Sequence, residues 1–353
     1  MEKTKVGVVG CGAISGIYLK NMTGVFDNLE VKAVCDLDSE RAEKAAKEYG
    51  ISNIYTLDEM LADEEIKIIV NLTTPKSHYS ICKKVLLAGK HVHVEKPLCV
   101  ELQEGVELVT LAESKGLYIG SAPDTFLGAG IQTCINLINE GRIGRPVSAT
   151  AFMMCHGHES WHPDPEFYYE KGGGPMFDMG PYYLTALVNM LGPVRKVAGM
   201  TGMALAERTI TSKKKYGKKV PVEVPTHVNG VMEFENGAIG NIITSFDVWG
   251  HNMPRIEVHG TEGSLSVPDP NGFGGPVRLK TSEMKEFEEI PVTLPYAENS
   301  RGIGVSDMAE AIGSGRMNKA NGRTALHVLE LMHGFHIAAE TGRNYETVYK
   351  KIR

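Results

Sequence analysis

Val6-Gly7-Val8-Val9-Gly10-Cys11-Gly12-Ala13-Ile14-Ser15-Gly16 decides how this chain is read. A short apolar run makes a buried strand, and the glycines behind it make a tight turn into a helix. A helix entered this way offers free N–H groups and the positive end of its dipole to an anion. Gly10 permits the turn, and Gly12 lets the backbone approach the phosphates of a dinucleotide, with Ala13 and Ile14 leading into the helix. The third position of the G-x-G-x-x-G pattern is Ser15, followed by Gly16; a small residue there still allows close helix–strand packing.

Outward from this turn the pattern alternates. Strands are expected at 5–9, 29–35, 68–72, 91–94 and 118–121, with helices at 13–22, 39–49, 57–62, 77–88 and 102–114. That alternation predicts a doubly wound parallel sheet, a Rossmann domain over residues 1–122. Beyond it the character changes. A helix at 130–140 is followed by β-rich stretches at 147–154, 194–204, 227–234, 238–246, 255–259 and 263–267, with turn signals at Glu235-Asn236-Gly237 and Gly260-Thr261-Glu262-Gly263. This predicts an α+β domain over 123–353 built on a large open, mostly antiparallel sheet. Helices at 305–314 and 324–341 close the chain and can return to the first domain.

Asp36 ends the second strand, 24 residues after Gly12. A carboxylate there accepts hydrogen bonds from ribose hydroxyls and repels a 2′-phosphate. Leu37 follows it, not an arginine that would welcome that phosphate, so NAD is favoured over NADP. Thr73-Thr74-Pro75 sits at the carboxyl edge of the third long strand, where open α/β sheets bind ligands. His78 opens the next helix and is read either as a cofactor contact or as a structural histidine. Glu95-Lys96-Pro97 ends the fourth long strand at the same edge. A carbinol oxidised by hydride transfer also loses its hydroxyl proton, and a nearby cation such as Lys96 steadies the developing alkoxide. Glu95 is read as pairing with a neighbour or fixing the strand end, and Glu95 and Lys96 count with the cofactor-binding residues.

These residues resemble the glucose–fructose oxidoreductase/inositol dehydrogenase/MocA (Gfo/Idh/MocA) family over nearly the whole chain. The resemblance rests on the Gly10–Ser15 turn, Asp36, Thr74-Pro75 with His78, Gly89-Lys90-His91-Val92 leading into Glu95-Lys96-Pro97, and Gly172-Gly173-Gly174-Pro175-Met176-Phe177-Asp178-Met179-Gly180-Pro181-Tyr182. It implies a tightly held nicotinamide cofactor, chemistry at a sugar or cyclitol hydroxyl, and a homodimer or homotetramer. It also carries catalytic roles over to Lys96 and Asp178. Many members have a histidine four residues after that aspartate as the acid/base; here the residue is Tyr182. If a helix begins here, Asp178 and Tyr182 share one face at i, i+4. Tyr182 and Lys96 are then a proton-transfer pair, with His162, or Lys96 acting through water, as rivals.

The segment His156-Gly157-His158-Glu159-Ser160-Trp161-His162 is rich in ligating side chains, but its spacing is not a zinc pattern and no metal is expected. It is read as a sugar loop, with Trp161 offering an apolar face and His162 a hydrogen bond. Trp249, His251, Asp124 and Thr125 are secondary candidates for the cleft.

The bulk numbers set outer bounds. The 353 residues suffice for two cores, and a net charge of −6 argues against nonspecific nucleic-acid binding. The basic run Lys213-Lys214-Lys215-Tyr216-Gly217-Lys218-Lys219 reads as a solvated hairpin tip. There is no signal-peptide pattern and no membrane-length apolar stretch, and the six cysteines are scattered, which fits the cytoplasm. The combined expectation is an NAD-dependent oxidoreductase of a sugar, glycoside or cyclitol. Its alternatives are an NADP-linked reductase of a keto or anhydro sugar and a non-catalytic cofactor-binding sensor.

Overall fold

The computed structural model describes residues 3–352. The chain forms two compact units. The first runs to Gly128 and takes in Glu298–Leu329 and Ile352; the second comprises Ala129–Ala297 and Glu330–Lys351.

In the first unit, strands β1 (Thr4–Val9), β2 (Leu29–Cys35), β3 (Asn53–Ile54), β4 (Ile68–Asn71), β5 (His91–Val94) and β6 (Ile119–Ser121) form one sheet in the order β3-β2-β1-β4-β5-β6. Every pairing is parallel. Helices α1 (Ser15–Gly24), α2 (Ser39–Tyr49), α3 (Leu57–Ala62), α4 (Pro75–Leu87) and α5 (Leu102–Ser114) make the crossovers. Val6, Val8, Ile68, Ile69, Val70, Val92 and Val94 are wholly buried, as strands covered on both faces require. Asp38 caps α2, and a Thr56/Glu59 capping box starts α3.

The second unit holds helices α6 (Ala129–Asn139), α7 (Gly174–Asp178) and α8 (Gly180–Leu191). Its strands are β7 (Pro146–Met154), β8 (Val194–Gly202), β9 (Glu207–Thr209), β10 (Lys219–Pro221), β11 (His227–Phe234), β12 (Ile239–Ser245), β13 (Ile256–Gly260), β14 (Gly263–Val267), β15 (Val277–Thr281), β16 (Glu288–Ile290) and β17 (Tyr345–Glu346). Nine of them form a sheet in the order β16-β15-β14-β13-β7-β12-β11-β8-β17. It is antiparallel throughout except for the parallel pair β7/β12. β9 and β10 pair as a separate antiparallel ribbon. Helix α9 (Ile303–Ser314) belongs to the first unit; α10 (Gly322–Thr341) begins in the first unit and ends in the second.

Two expectations need correction. The segment around Asp178 is not one helix. A continuous helix would ask Pro181 for an N–H it lacks and press its ring on the Phe177 carbonyl, so α7 stops at Asp178 and α8 restarts at Gly180. The lysine run does form a hairpin tip between β9 and β10, but it is ion-paired, not merely solvated. Lys214 and Lys215 reach Asp164 at 2.7 and 2.8 Å, and Lys215 and Lys218 reach Glu166 at 2.5 and 2.9 Å. Hydrogen bonds from Lys214 and then Lys215 hold the Asp164 pKa down at about 2. Cys11 and Cys82 are buried, while Cys35 is half-buried. Among the described residues, no helix is long and apolar enough to cross a membrane, and no group of three or more His, Cys, Asp or Glu side chains is placed to hold a metal ion.

Candidate active site

The glycine turn has the shape a dinucleotide needs. Gly10 adopts a φ of 97°, and a Cβ on it would lie 2.8 Å from the Leu72 carbonyl carbon. A Cβ on Gly12 would meet nothing within 4 Å among the described residues, so that side of the turn is open. Ala13 is exposed and half-buried Ile14 is the N-cap of α1. No described side chain caps α1 and no acidic residue occupies its first turn, which leaves its N-terminal N–H groups to an anion. Ser15 donates through Oγ to the Gly12 carbonyl at 2.7 Å and closes the turn from within.

Asp36 is tied to the same turn. Its Oδ2 accepts from the Cys11 N–H at 2.6 Å and its Oδ1 from the Asp38 N–H at 2.8 Å. At the next edge, buried Asn71 accepts through Oδ1 from Thr73 Oγ1 at 2.7 Å and from the Thr73 N–H at 3.2 Å. Thr74 is the N-cap of α4 and Pro75 its first residue.

His78 is wholly buried. Its Nδ1 lies 2.7 Å from the Pro97 carbonyl oxygen and its Nε2 lies 3.0 Å from that of Thr73. Burial pushes its pKa down. The ring therefore braces the Thr73 loop against the Lys96-Pro97 turn, and a cofactor role for it is one of position. Glu95 is likewise engaged: Oε1 accepts from Tyr18 Oη at 2.7 Å, and Oε2 accepts from the Lys96 N–H at 2.9 Å. Lys96 follows directly and is half-buried. Asp124, expected near the cleft, is buried and accepts the Gly302 and Gly304 N–H groups at 2.8 and 3.0 Å, capping α9. Burial raises its pKa to about 6. Thr125 is buried beside it in the sequence.

The second unit supplies the other candidates. Asp178 closes α7, and its Oδ2 lies 3.1 Å from His158 Nε2. Tyr182 stands in the first turn of α8 and is buried. His158 is packed edge-on against Tyr168, Phe246 and Trp161, with ring centroids 4.1, 4.8 and 5.2 Å away. Trp161 itself is 61% exposed. His162 accepts the Asp164 N–H on Nδ1 at 3.0 Å, and burial lowers its pKa. His156 stacks on Trp249 at 3.4 Å, yet Trp249 remains 85% exposed. His251 accepts the Met253 N–H on Nδ1 at 3.2 Å.

A buried charge network anchors this loop. Arg208, on β9, bonds Glu159 Oε1 at 3.0 Å and Asp247 Oδ1 and the Phe246 carbonyl from its other nitrogen. Tyr169 donates to Glu159 Oε2 at 2.5 Å. The Thr211 and Ser212 N–H groups bond the Glu159 carbonyl at 3.0 and 2.8 Å.

The model of an oxidoreductase family with an NAD-binding Rossmann fold matches residues 4–122, and that of the GFO/IDH/MocA C-terminal domain matches residues 131–266. The chain belongs to the Gfo/Idh/MocA oxidoreductase family. Its first unit thus contains the NAD(P)-binding domain of that family. This Gfo/Idh/MocA oxidoreductase is 30% identical over 278 residues to the uncharacterized oxidoreductase C115.03 of Schizosaccharomyces pombe, covering 75% of this chain and 71% of that one. It is 29% identical over 242 residues to the 1,5-anhydro-D-fructose reductase of Ensifer adhaerens, covering 67% of each. The solved structure of a levoglucosan dehydrogenase in complex with NADH and L-sorbose shares the fold, with a TM-score of 0.83 and 20% identity over 98% of this chain and 99% of that one.

In this family member, sequence reasoning did not single out His158 or Arg208. The three histidines between 156 and 162 were the available signal for the first. Nothing in the sequence marks Arg208.

Proposed function

We propose that this chain transfers a hydride between NAD and a secondary hydroxyl or ketone of a sugar, glycoside or cyclitol. The observation that carries the reading is Asp36: a carboxylate fastened to the glycine turn, followed by exposed Leu37 where no cation would receive a 2′-phosphate. The printed activities of the Ensifer reductase and of levoglucosan dehydrogenase support a carbohydrate substrate.

The residues present fit the cofactor. The open side of Gly12 and the uncapped start of α1 would take the pyrophosphate, Asp36 the adenosine ribose, and the Thr73-Thr74-Pro75 edge the path toward the nicotinamide. The nicotinamide, when bound, accepts or returns the hydride. Lys96 supplies positive charge for the alkoxide that develops as the hydroxyl proton leaves. Its backbone is held by Glu95, and the turn after it by His78. Asp178 orients the proton acceptor, and Tyr182, Trp161 and His162 bound the sugar. A homodimer or homotetramer is part of the reading, supported by the exposed apolar residues Met200, Val231 and Ile239 on the large sheet.

The test is nicotinamide reduction followed by absorbance, with NAD and NADP run separately against pyranoses, methyl glycosides and inositols. Turnover of one class with NAD is the expected result. A preference for NADP would overturn the Asp36 argument. Cofactor binding without turnover in either direction across the panel, with the matching ketones included, would overturn the enzyme reading.

A further inference from the structure

We propose that His158, held by Asp178, is the catalytic base that takes the substrate hydroxyl proton, in place of the phenol at position 182. This rests on the dehydrogenase reading and names the proton acceptor within it. The imidazole comes from the loop before the glycine run, 20 residues ahead of its carboxylate, not from the helix that follows.

Three observations carry it. The first is the 3.1 Å contact between His158 Nε2 and Asp178 Oδ2. A carboxylate there fixes the Nε2–H tautomer, leaves the Nδ1 lone pair free to accept a proton, and steadies the imidazolium that results. The second is that, among the described residues, Nδ1 makes no hydrogen bond, and it is not one of the buried polar atoms left without a partner. That atom therefore keeps some accessible surface, although His158 as a whole is buried. The third is rigidity. Trp161, Tyr168 and Phe246 grip the ring, and the next residue, Glu159, is locked by Arg208 and Tyr169. An acid/base must be held in place, and this ring is.

Titratable and charged groups face it from several elements, Cys155 and Asp164 among them. Asp178 comes from α7; His162 and Glu159 come from the same loop; Tyr168 and Tyr169 come from the turn beyond; Arg208 comes from β9. Arg208 is shared between Glu159 and Asp247, which leaves Asp178 as the carboxylate bonded to the ring. An ordinary phenol, by contrast, holds its proton to about pH 10 and needs a close cation to act as a base.

The substrate O–H breaks and its proton goes to His158 Nδ1. The C–H electron pair on the same carbon leaves as hydride to oxidised nicotinamide, and the C=O bond forms. Asp178 offsets the imidazolium charge until solvent removes the proton.

Two measurements test it. Nitrogen-15 NMR of histidine-labelled protein at pH 8, with His158 assigned by its loss in H158Q, should show the Nε2–H tautomer, giving way to a mixture in D178N. On the polyol that wild type oxidises, H158A should lower kcat by about 10²–10⁴-fold with unchanged NAD affinity, and added imidazole should restore part of it. If H158A does not fold, D178N serves instead, since it keeps the ring and its packing and should still lose turnover. A wild-type kcat in H158A, a loss that imidazole does not rescue combined with an Nδ1–H tautomer, or abolition of turnover by Y182F and not by H158A, would each overturn the proposal. Wild type that binds NAD and turns over neither a polyol nor its matching ketone sinks the dehydrogenase reading and the proposal with it; survival of turnover in H158A sinks the proposal alone.

Discussion

The backbone N–H of Cys11 donates a 2.6 Å hydrogen bond to Oδ2 of Asp36, so the carboxylate assigned to the ribose also holds the turn assigned to the phosphates. On the proposed reading, cofactor preference and turn stability are linked through one side chain. Asp36→Asn retains an acceptor for Cys11 and loses the charge; it should keep most of the stability while NAD preference over NADP falls by about tenfold or more. Asp36→Ala should lose both, with roughly 1–3 kcal/mol of stability. Nucleotide titrations and urea unfolding of the two variants separate the effects. Equal midpoints for Asp36→Ala and wild type would show that the Cys11 bond adds nothing.

His78→Leu removes the ring seated between the Thr73 and Pro97 carbonyls, and the one to which the neutral imidazole donates loses its buried partner. The expected cost is about 1–3 kcal/mol. Turnover should fall as well, because the ring joins the Thr73 loop to the turn that follows Lys96. His78→Gln, which can still donate, should recover part of both. Stability unchanged in the leucine variant would remove the bracing role.

His93 predicts the acid limb of stability. It is wholly buried, its two ring nitrogens lack partners among the described residues, and burial pushes its pKa down to about 4. The unfolded chain takes up that proton near pH 6.5 and the folded chain does not until about pH 4. The contribution is therefore full above pH 6.5 and is lost as pH falls, by about 3 kcal/mol across the window. His93→Leu should match or exceed wild type in urea at pH 7.5 and lose less on going to pH 4.5. The same slope in both proteins would contradict it.

Arg208→Met leaves Glu159 and Asp247 without their cation in a buried place. Breaking such a pair from one side costs about 3–5 kcal/mol. Arg208→Lys should recover little, since one ammonium cannot reach Glu159, Asp247 and the Phe246 carbonyl together. Because Glu159 adjoins His158, both variants should also slow turnover where they still fold. Chemical unfolding is the deciding measurement; a loss under about 1 kcal/mol would mean that water replaces the guanidinium.

The first unit was legible because its signals are local. Each valine- or isoleucine-rich run precedes an amphipathic stretch, and Gly10 and Asp36 lie where strands end. β3 escaped because Asn53–Ile54 is too short to show a period. The break between α7 and α8 escaped for a different reason: Gly180-Pro181 restarts a helix, because proline is welcome in a helix's first turn. β15 and β16 lie in polar sequence whose pairing is decided by the neighbouring strands. Asp178 came from family resemblance, whereas the His158–Asp178 contact depends on how a loop folds over an aromatic cluster. No spacing rule encodes that. The buried positions of Asp124 and His78 were invisible for the same reason, since burial belongs to the tertiary structure.

The chain leaves the first unit after Gly128, returns at Glu298, and departs again in the middle of α10. Neither unit is a cassette. During synthesis the Rossmann strands emerge early, but Asp124 cannot fill its role until Gly302 and Gly304 appear, nor Asn21 until the Asn299 and Arg301 carbonyls do. The second unit waits longer: Glu330 on α10 accepts the Val348 and Tyr349 N–H groups, and Thr347 bonds the carbonyls of Val194 and Arg195. Both halves therefore depend on residues beyond 298, and a fragment cut at residue 122 would lack the carbonyls that its own Asn21 requires.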